Sequence, residues 1–277
     1  MSSGGAFAER QKRMPIPENS VRPLPAEKEP VFIFNPETLH RQDSRYPEHL
    51  RPVQATFGVV PDAQGSCFYE VGGRVKILAV VQGARPITRS QARGSTHTQG
   101  LLTCQIQLMP GCFGAKRLEE EKVTEMQHLL AELLQSSLEP AILLENIPGM
   151  QLDLCVSVVE ADGDLLAHVI NGCTLALLVG SVPMRDTVVA VTAVLLKDHP
   201  IFLLDPTKNE QSASQLMLQV AWLRNRGEFS LVNLGKSPNG MDLASLQEVL
   251  NQMQESCESV YARLKQILAD HLQIKNV

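Results

Sequence analysis

Two passes of short apolar runs, each closed by an amphipathic helix, restrict this chain to a mixed sheet-and-helix fold. In the first pass, residues 52–60, 66–71, 74–82 and 101–109 read as strands, with Gly65 and Gly72-Gly73 supplying turns. Residues 117–143 follow as a helix, because Val123, Met126, Leu130 and Leu133 recur at spacings of three and four. Pro148-Gly149 breaks the chain. The second pass reads as strand 151–159, helix 165–179 and strands 187–196, 200–204, 214–222 and 228–233. A closing helix over 242–272 carries Leu246, Leu250, Met253, Cys257, Val260, Leu264 and Ile267 in a heptad stripe. Its flanking positions lack clean charge pairing, so the stripe reads as a helix laid on a sheet. The expected architecture is an α+β domain of two sheet–helix layers, residues 49–272, with a short tail over 273–277.

Residues 1–48 differ in kind. Pro15, Pro17, Pro23, Pro25, Pro30, Pro36 and Pro47 punctuate them without a sustained apolar period. They read as an extended, partly disordered arm in which Val31-Phe32-Ile33-Phe34 is the one segment apolar enough to dock.

Composition narrows the function classes. Aromatics make up 4% of the 277 residues, with Trp222 the single tryptophan, which argues against a platform that stacks bases. A net charge of −5 gives no global attraction to nucleic acid, so any RNA contact must come from a local basic patch. The six cysteines (67, 104, 112, 155, 173 and 257) form no CxxC pair, which points to a reduced intracellular compartment. No run of 18 apolar residues exists and the first residues lack an apolar secretory core, so the expectation is neither a membrane span nor secretion.

Two segments carry the chemistry. In the first, Ala161-Asp162-Gly163 leads into a helix, the usual setting for an anion held by backbone amides. Asp164 places a negative charge there, which suits the helix and repels a phosphate, and Leu165 and Leu166 offer no donor. In the second, Leu203-Leu204-Asp205-Pro206-Thr207 runs on through Glu210-Gln211 to Met217. A magnesium ion wants hard oxygen ligands, whereas Gln211 offers a neutral carbonyl and Met217 a soft thioether.

Together with Leu50-Arg51-Pro52, Gly65-Ser66 and Gly72-Gly73 before Val75–Val81, these segments resemble the RNase PH family of phosphate-dependent exoribonucleases, over about residues 48–270. In active members the Ala-Asp-Gly step continues Gly-Thr-Arg and holds phosphate, and two acids of the later motif hold a metal. The resemblance therefore implies a degenerate phosphate site at Asp164, Leu165 and Leu166 and a degenerate metal site at Gln211 and Met217. No catalytic residue, metal or cofactor is expected.

The resemblance further implies the fold shared by RNase PH and the second domain of ribosomal protein S5. It implies a non-catalytic role like that of ring subunits in the eukaryotic RNA exosome core. There, RNase PH-like chains form a hetero-hexameric pore that threads RNA, with S1/KH-type cap subunits and an associated exoribonuclease. Nucleus, nucleolus and cytoplasm are the expected locations. Arg85, Arg89, Arg93, Lys116 and Arg117 are the candidate RNA contacts, since the family's corresponding loops face the pore. The alternatives are an active phosphorolytic exoribonuclease, or a donor of residues to a neighbour's composite site. A sugar or mevalonate-type kinase would need a Gly- and Ser-rich phosphate loop opening a helix, and the sequence has none. His168 reads as a hydrogen-bonded structural residue, and Glu210 as a lone carboxylate.

Overall fold

The computed structural model describes residues 34–35, 40–87, 99–114, 119–196, 201–235 and 243–275. Its element order is β1 (Phe34–Asn35), β2 (His40–Arg41), β3 (Val53–Phe57), β4 (Gly65–Val71), β5 (Val75–Pro86), β6 (Leu101–Leu108) and α1 (Glu120–Leu138). After two 3-10 turns come β7 (Met150–Glu160), α2 (Leu166–Val179), β8 (Val188–Leu196), β9 (Phe202–Leu204) and α3 (Lys208–Ala213). The chain closes with β10 (Ser214–Leu223), β11 (Glu228–Gly235) and α4 (Leu243–Lys275).

The strands form two main sheets. One has the order β3-β4-β5-β7-β6, antiparallel except for the parallel β6–β7 pair. The other, β11-β10-β8-β9, is antiparallel throughout. Helix α2 lies between them, packed on β4 and β5 on one side and on β8 and β10 on the other. Twelve of its 14 residues are buried, which is why its sequence is apolar all round rather than striped. Each buried Leu, Ile or Val there contributes roughly 1.5–3 kcal/mol of transfer free energy. The heptad stripe of α4 lies on a sheet: Met253, Cys257, Val260 and Leu264 are buried in the main core, and α4 packs on β8 and β3. The α+β architecture of sheets covered by helices is the one expected.

The approach of α2 to the first sheet depends on a missing side chain. A Cβ on Gly65 would lie 2.3 Å from the Ala176 carbonyl oxygen and 2.6 Å from the Gly180 Cα. No residue with a side chain fits between strand and helix at that point.

Several details differ from the sequence reading. The first helix ends at Leu138, where Pro140 turns the chain into a 3-10 segment rather than letting it run to residue 143. Strand β5 runs through Pro86, well into what reads as a polar loop, because Arg85 and Pro86 still pair with Gln151 and Met150 of β7. Helix α3 interrupts the second motif, nucleated by a capping box between Thr207 and Glu210. Ordered packing also begins ahead of residue 49: Phe34 is buried against Val194, Leu196 and Leu203, and Arg41 is buried against Leu204, Asp205 and Glu210.

Candidate functional site

The turn Ala161-Asp162-Gly163 and the segment Asp205–Thr207 lie directly against each other. Gly163 adopts a φ of 85°, and a Cβ on it would stand 1.9 Å from the Pro206 carbonyl oxygen. The Lys208 amide donates to Asp162 Oδ1 at 3.1 Å, tying the two segments across this contact.

Asp164 turns inward. It is 2% exposed, and its carboxylate accepts from the Ala167 amide at 3.1 Å, from the Thr192 hydroxyl at 2.5 Å and from the Gln219 side-chain amide. It thus bonds the first turn of α2 as expected of an acid at that position, and also joins α2 to β8 and β10. Leu165 and Leu166 are buried core residues. The N-terminus of α2 is therefore already occupied by a protein carboxylate flanked by apolar side chains, the reverse of what a phosphate needs.

Gln211 and Met217 also come together. The Gln211 amide lies 3.3 Å from the Met217 sulfur, and Met217 packs beside the small cluster of Phe34, Val194, Leu196 and Leu203. An amide and a thioether do not fit a hard divalent cation. Glu210, the acid beside Gln211, is committed elsewhere. The Arg41 guanidinium donates to both its oxygens, at 2.7 and 2.6 Å, and the Thr207 amide donates to it at 2.7 Å. Arg41 also donates to the Leu204 and Asp205 carbonyls, at 2.7 and 3.0 Å.

Beside this pair sits a second buried ionic group. Asp205 has a φ of 51°, a left-handed conformation that Asp tolerates better than most residues. Its carboxylate accepts from the Arg51 amide at 2.8 Å and from the Arg51 guanidinium at 2.5–3.1 Å. His168 Nε2 lies 3.1 Å from Asp205 and 3.2 Å from Arg51. Burial alone would raise the Asp205 pKa; the hydrogen bond and charge of His168, then those of Arg51, outweigh it and hold the carboxyl well below the usual range. Burial likewise works against the Arg51 charge and is outweighed by Asp205, so its pKa is raised. These groups border a cavity of about 240 Å³ that also touches Tyr69, Thr192 and Arg263. His168 is hydrogen-bonded through Nε2, as its sequence position suggests.

Of the candidate RNA contacts, Arg89, Arg93, Lys116 and Arg117 lie outside the described residues. Arg85 is 61% exposed at its side chain, but its guanidinium forms an ion pair at 2.6 Å with the buried Asp153. Sequence reasoning passed over Arg41 and the Arg51–Asp205 pair. Arg51 and Asp205 stand inside Leu50-Arg51-Pro52 and Leu203–Thr207, and the opposite charges of these two segments were the available signal.

Two sheets around a buried α2, with the two motifs abutting at its N-terminus, define a fold of the ribonuclease PH class. The 3′ exoribonuclease family (RNase PH) matches here, its domain 1 over residues 49–183 and its domain 2 over residues 186–256. The chain belongs to this family. It is 30% identical to an Arabidopsis thaliana protein named exosome complex component RRP41 homolog, covering 86% of this chain and 94% of the relative. It is also 30% identical to human exosome complex component MTR3, covering 88% and 92% respectively. Among solved structures, rice (Oryza sativa) Rrp46 superposes with a TM-score of 0.68 at 21% identity, over 81% of this chain and 98% of that one. A chain of the Archaeoglobus fulgidus exosome superposes at 0.67 with 17% identity, over 82% and 93%. These two likenesses establish the fold.

Proposed function

We propose that this chain is a non-catalytic ring subunit of an RNA exosome, helping to form the pore that threads RNA to an associated 3′-to-5′ exoribonuclease. The carrying observation is chemical. The position for phosphate holds the Asp164 carboxylate and two leucines, and the position for metal holds an amide on a thioether. Phosphorolysis requires the charge developing on phosphoryl oxygens to be stabilised by an anion clamp and a metal. These residues supply neither.

Relatives named as exosome components support the ring setting, with other RNase PH-like chains as neighbours and S1/KH-type subunits as caps. Among ring subunits, the replaced acids, the Pro-rich N-terminal stretch and Leu203-Leu204-Asp205-Pro206-Thr207 favour the MTR3 type, first named for a messenger-RNA transport defect. Nucleus, nucleolus and cytoplasm remain the proposed locations. The test is incubation of the purified chain with RNA, Mg²⁺ and phosphate: no nucleoside diphosphate should be released above a mock purification. Processive release would overturn the reading.

A further inference from the structure

The cavity of about 240 Å³ beside Arg51 and Asp205 is walled by one face of α2, by residues of β4 and β8, and by α4. Most of its lining is apolar, from Leu50, Val53, Val71, Val191, Val260 and Leu264. Ser259 and Arg263, both exposed on α4, stand where it meets solvent.

The buried polar groups that line it are already committed, with one exception. Arg51 donates to Asp205 and to the Asp162 carbonyl. Asp164 accepts from Ala167, Thr192 and Gln219. Asn171 exchanges hydrogen bonds with the Ala190 backbone at 2.9 and 2.8 Å, and the Tyr69 hydroxyl is bonded to Asn171. The exception is His168, a residue 8% exposed. Its Nε2 lies 3.1 Å from the Asp205 carboxylate, which is ionised and can only accept, so Nε2 carries a proton. In the neutral ring Nδ1 is then a bare acceptor. Nδ1 is buried, and among the described residues nothing bonds to it.

We propose that this cavity is a binding site for a neutral, flat, mostly apolar molecule of about two fused rings, whose single N–H or O–H donates to His168 Nδ1. The inference is independent of the ring-subunit reading. Size sets the upper and lower bounds: an apolar cavity of about 150 Å³ takes one benzene, and drug-sized sites begin at about 300 Å³. Charge sets the rest. Arg51, Asp164 and Asp205 are all engaged within the protein, so a charged ligand would be buried without a counter-ion. A ligand with several polar groups would leave all but one unpaired against apolar walls.

The experiment titrates the full chain with indole and with indene, at about pH 8, where an imidazole is ordinarily neutral. The two probes share shape and size, and only indole carries an N–H. Indole should bind saturably, with a Kd of about 1 mM or tighter, and raise the melting temperature. Indene should bind at least about tenfold more weakly, because it displaces water from Nδ1 without replacing the hydrogen bond. In chain labelled with ¹⁵N-histidine, the His168 Nδ1 resonance should move with indole and saturate, a readout that needs no variant. Val260→Phe, which fills the cavity from α4, should abolish indole binding. No indole binding up to its solubility means that the cavity holds water only and overturns the proposal. Equal affinities for the two probes, an Nδ1 resonance that stays put at saturation, or full binding by a folded Val260→Phe variant overturn it as well.

Discussion

The Gln211 side-chain amide lies 3.3 Å from the Met217 sulfur, so an amide and a thioether hold each other there. Met217 is in addition packed beside Phe34, Val194 and Leu203. The pair is thus held by the surrounding packing as well as by its own contact. A single substitution would have to undo both.

Reversal of one position should accordingly fail. Met217→Asp, alone or with Gln211→Asp, is expected to give no detectable phosphate-dependent release of nucleoside diphosphates. Asp164 still fills the N-terminus of α2, and Leu165 and Leu166 still offer no donor. Assays of both variants with Mg²⁺ and phosphate check this, and measurable turnover in either would show that the anion clamp is dispensable.

Much of this was legible in the sequence, for reasons that lie in particular residues. Periodicity in α1 and α4 is one-sided because each helix buries one stripe, and α2 is an apolar run that follows Ala161-Asp162-Gly163. The chemistry that Asp164–Leu166, Gln211 and Met217 can offer could be read because donor chemistry belongs to the residue type; the proposed loss of a phosphate and a metal site rests on that chemistry. Arg41 could not. Its partner Glu210 is 169 positions away, and a Pro-rich surrounding gives an arginine no sign of burial. The turn into α3 was missed because a six-residue helix is too short to show a period.

Arg41→Ala should destabilise the fold strongly. Both side chains of the pair are at most 2% exposed, and removing the guanidinium leaves Glu210 as a buried charge without its counter-ion. The cost of such a break is about 3–5 kcal/mol. Denaturant unfolding monitored by circular dichroism checks it. Adding Glu210→Gln should recover part of the loss, because the stranded charge is then gone; a loss under about 1 kcal/mol for Arg41→Ala would mean that the pair is not a structural lock.

Stability should also fall in acid through Asp205. Its folded pKa is held well below the usual value, the favourable bonds from His168 and Arg51 outweighing burial. A depressed carboxyl contributes stability that is fully present above its unfolded pKa, about 3.9, and is lost as pH falls through its lower folded value. Unfolding free energy measured downward from pH 6 should therefore drop below about pH 4. Asp205→Asn should be less stable at neutral pH and show a shallower fall in acid. An identical acid limb in parent and variant would remove Asp205 from the account.

The RNA reading separates Arg85 from the other basic candidates. Its charge is already matched by the buried Asp153 at 2.6 Å, so reaching a phosphate would leave that carboxylate with the Gln151 amide and without its counter-ion. Arg85→Ala should lower stability and barely change RNA threading through an assembled ring. Replacing Arg89, Arg93, Lys116 and Arg117 together by Glu should instead weaken threading, by roughly 1 kcal/mol per contact at moderate salt, and leave assembly intact. The parent's affinity should fall with rising salt and the quadruple variant's less steeply, because each lost phosphate contact removes a released counter-ion. The isolated chain, at net charge −5, should bind RNA weakly throughout. RNA protection and degradation by assembled rings, measured across a salt series, decide it. A quadruple variant that threads as the parent does would make those four side chains solvated surface, and a large effect from Arg85→Ala alone would return that residue to the RNA path.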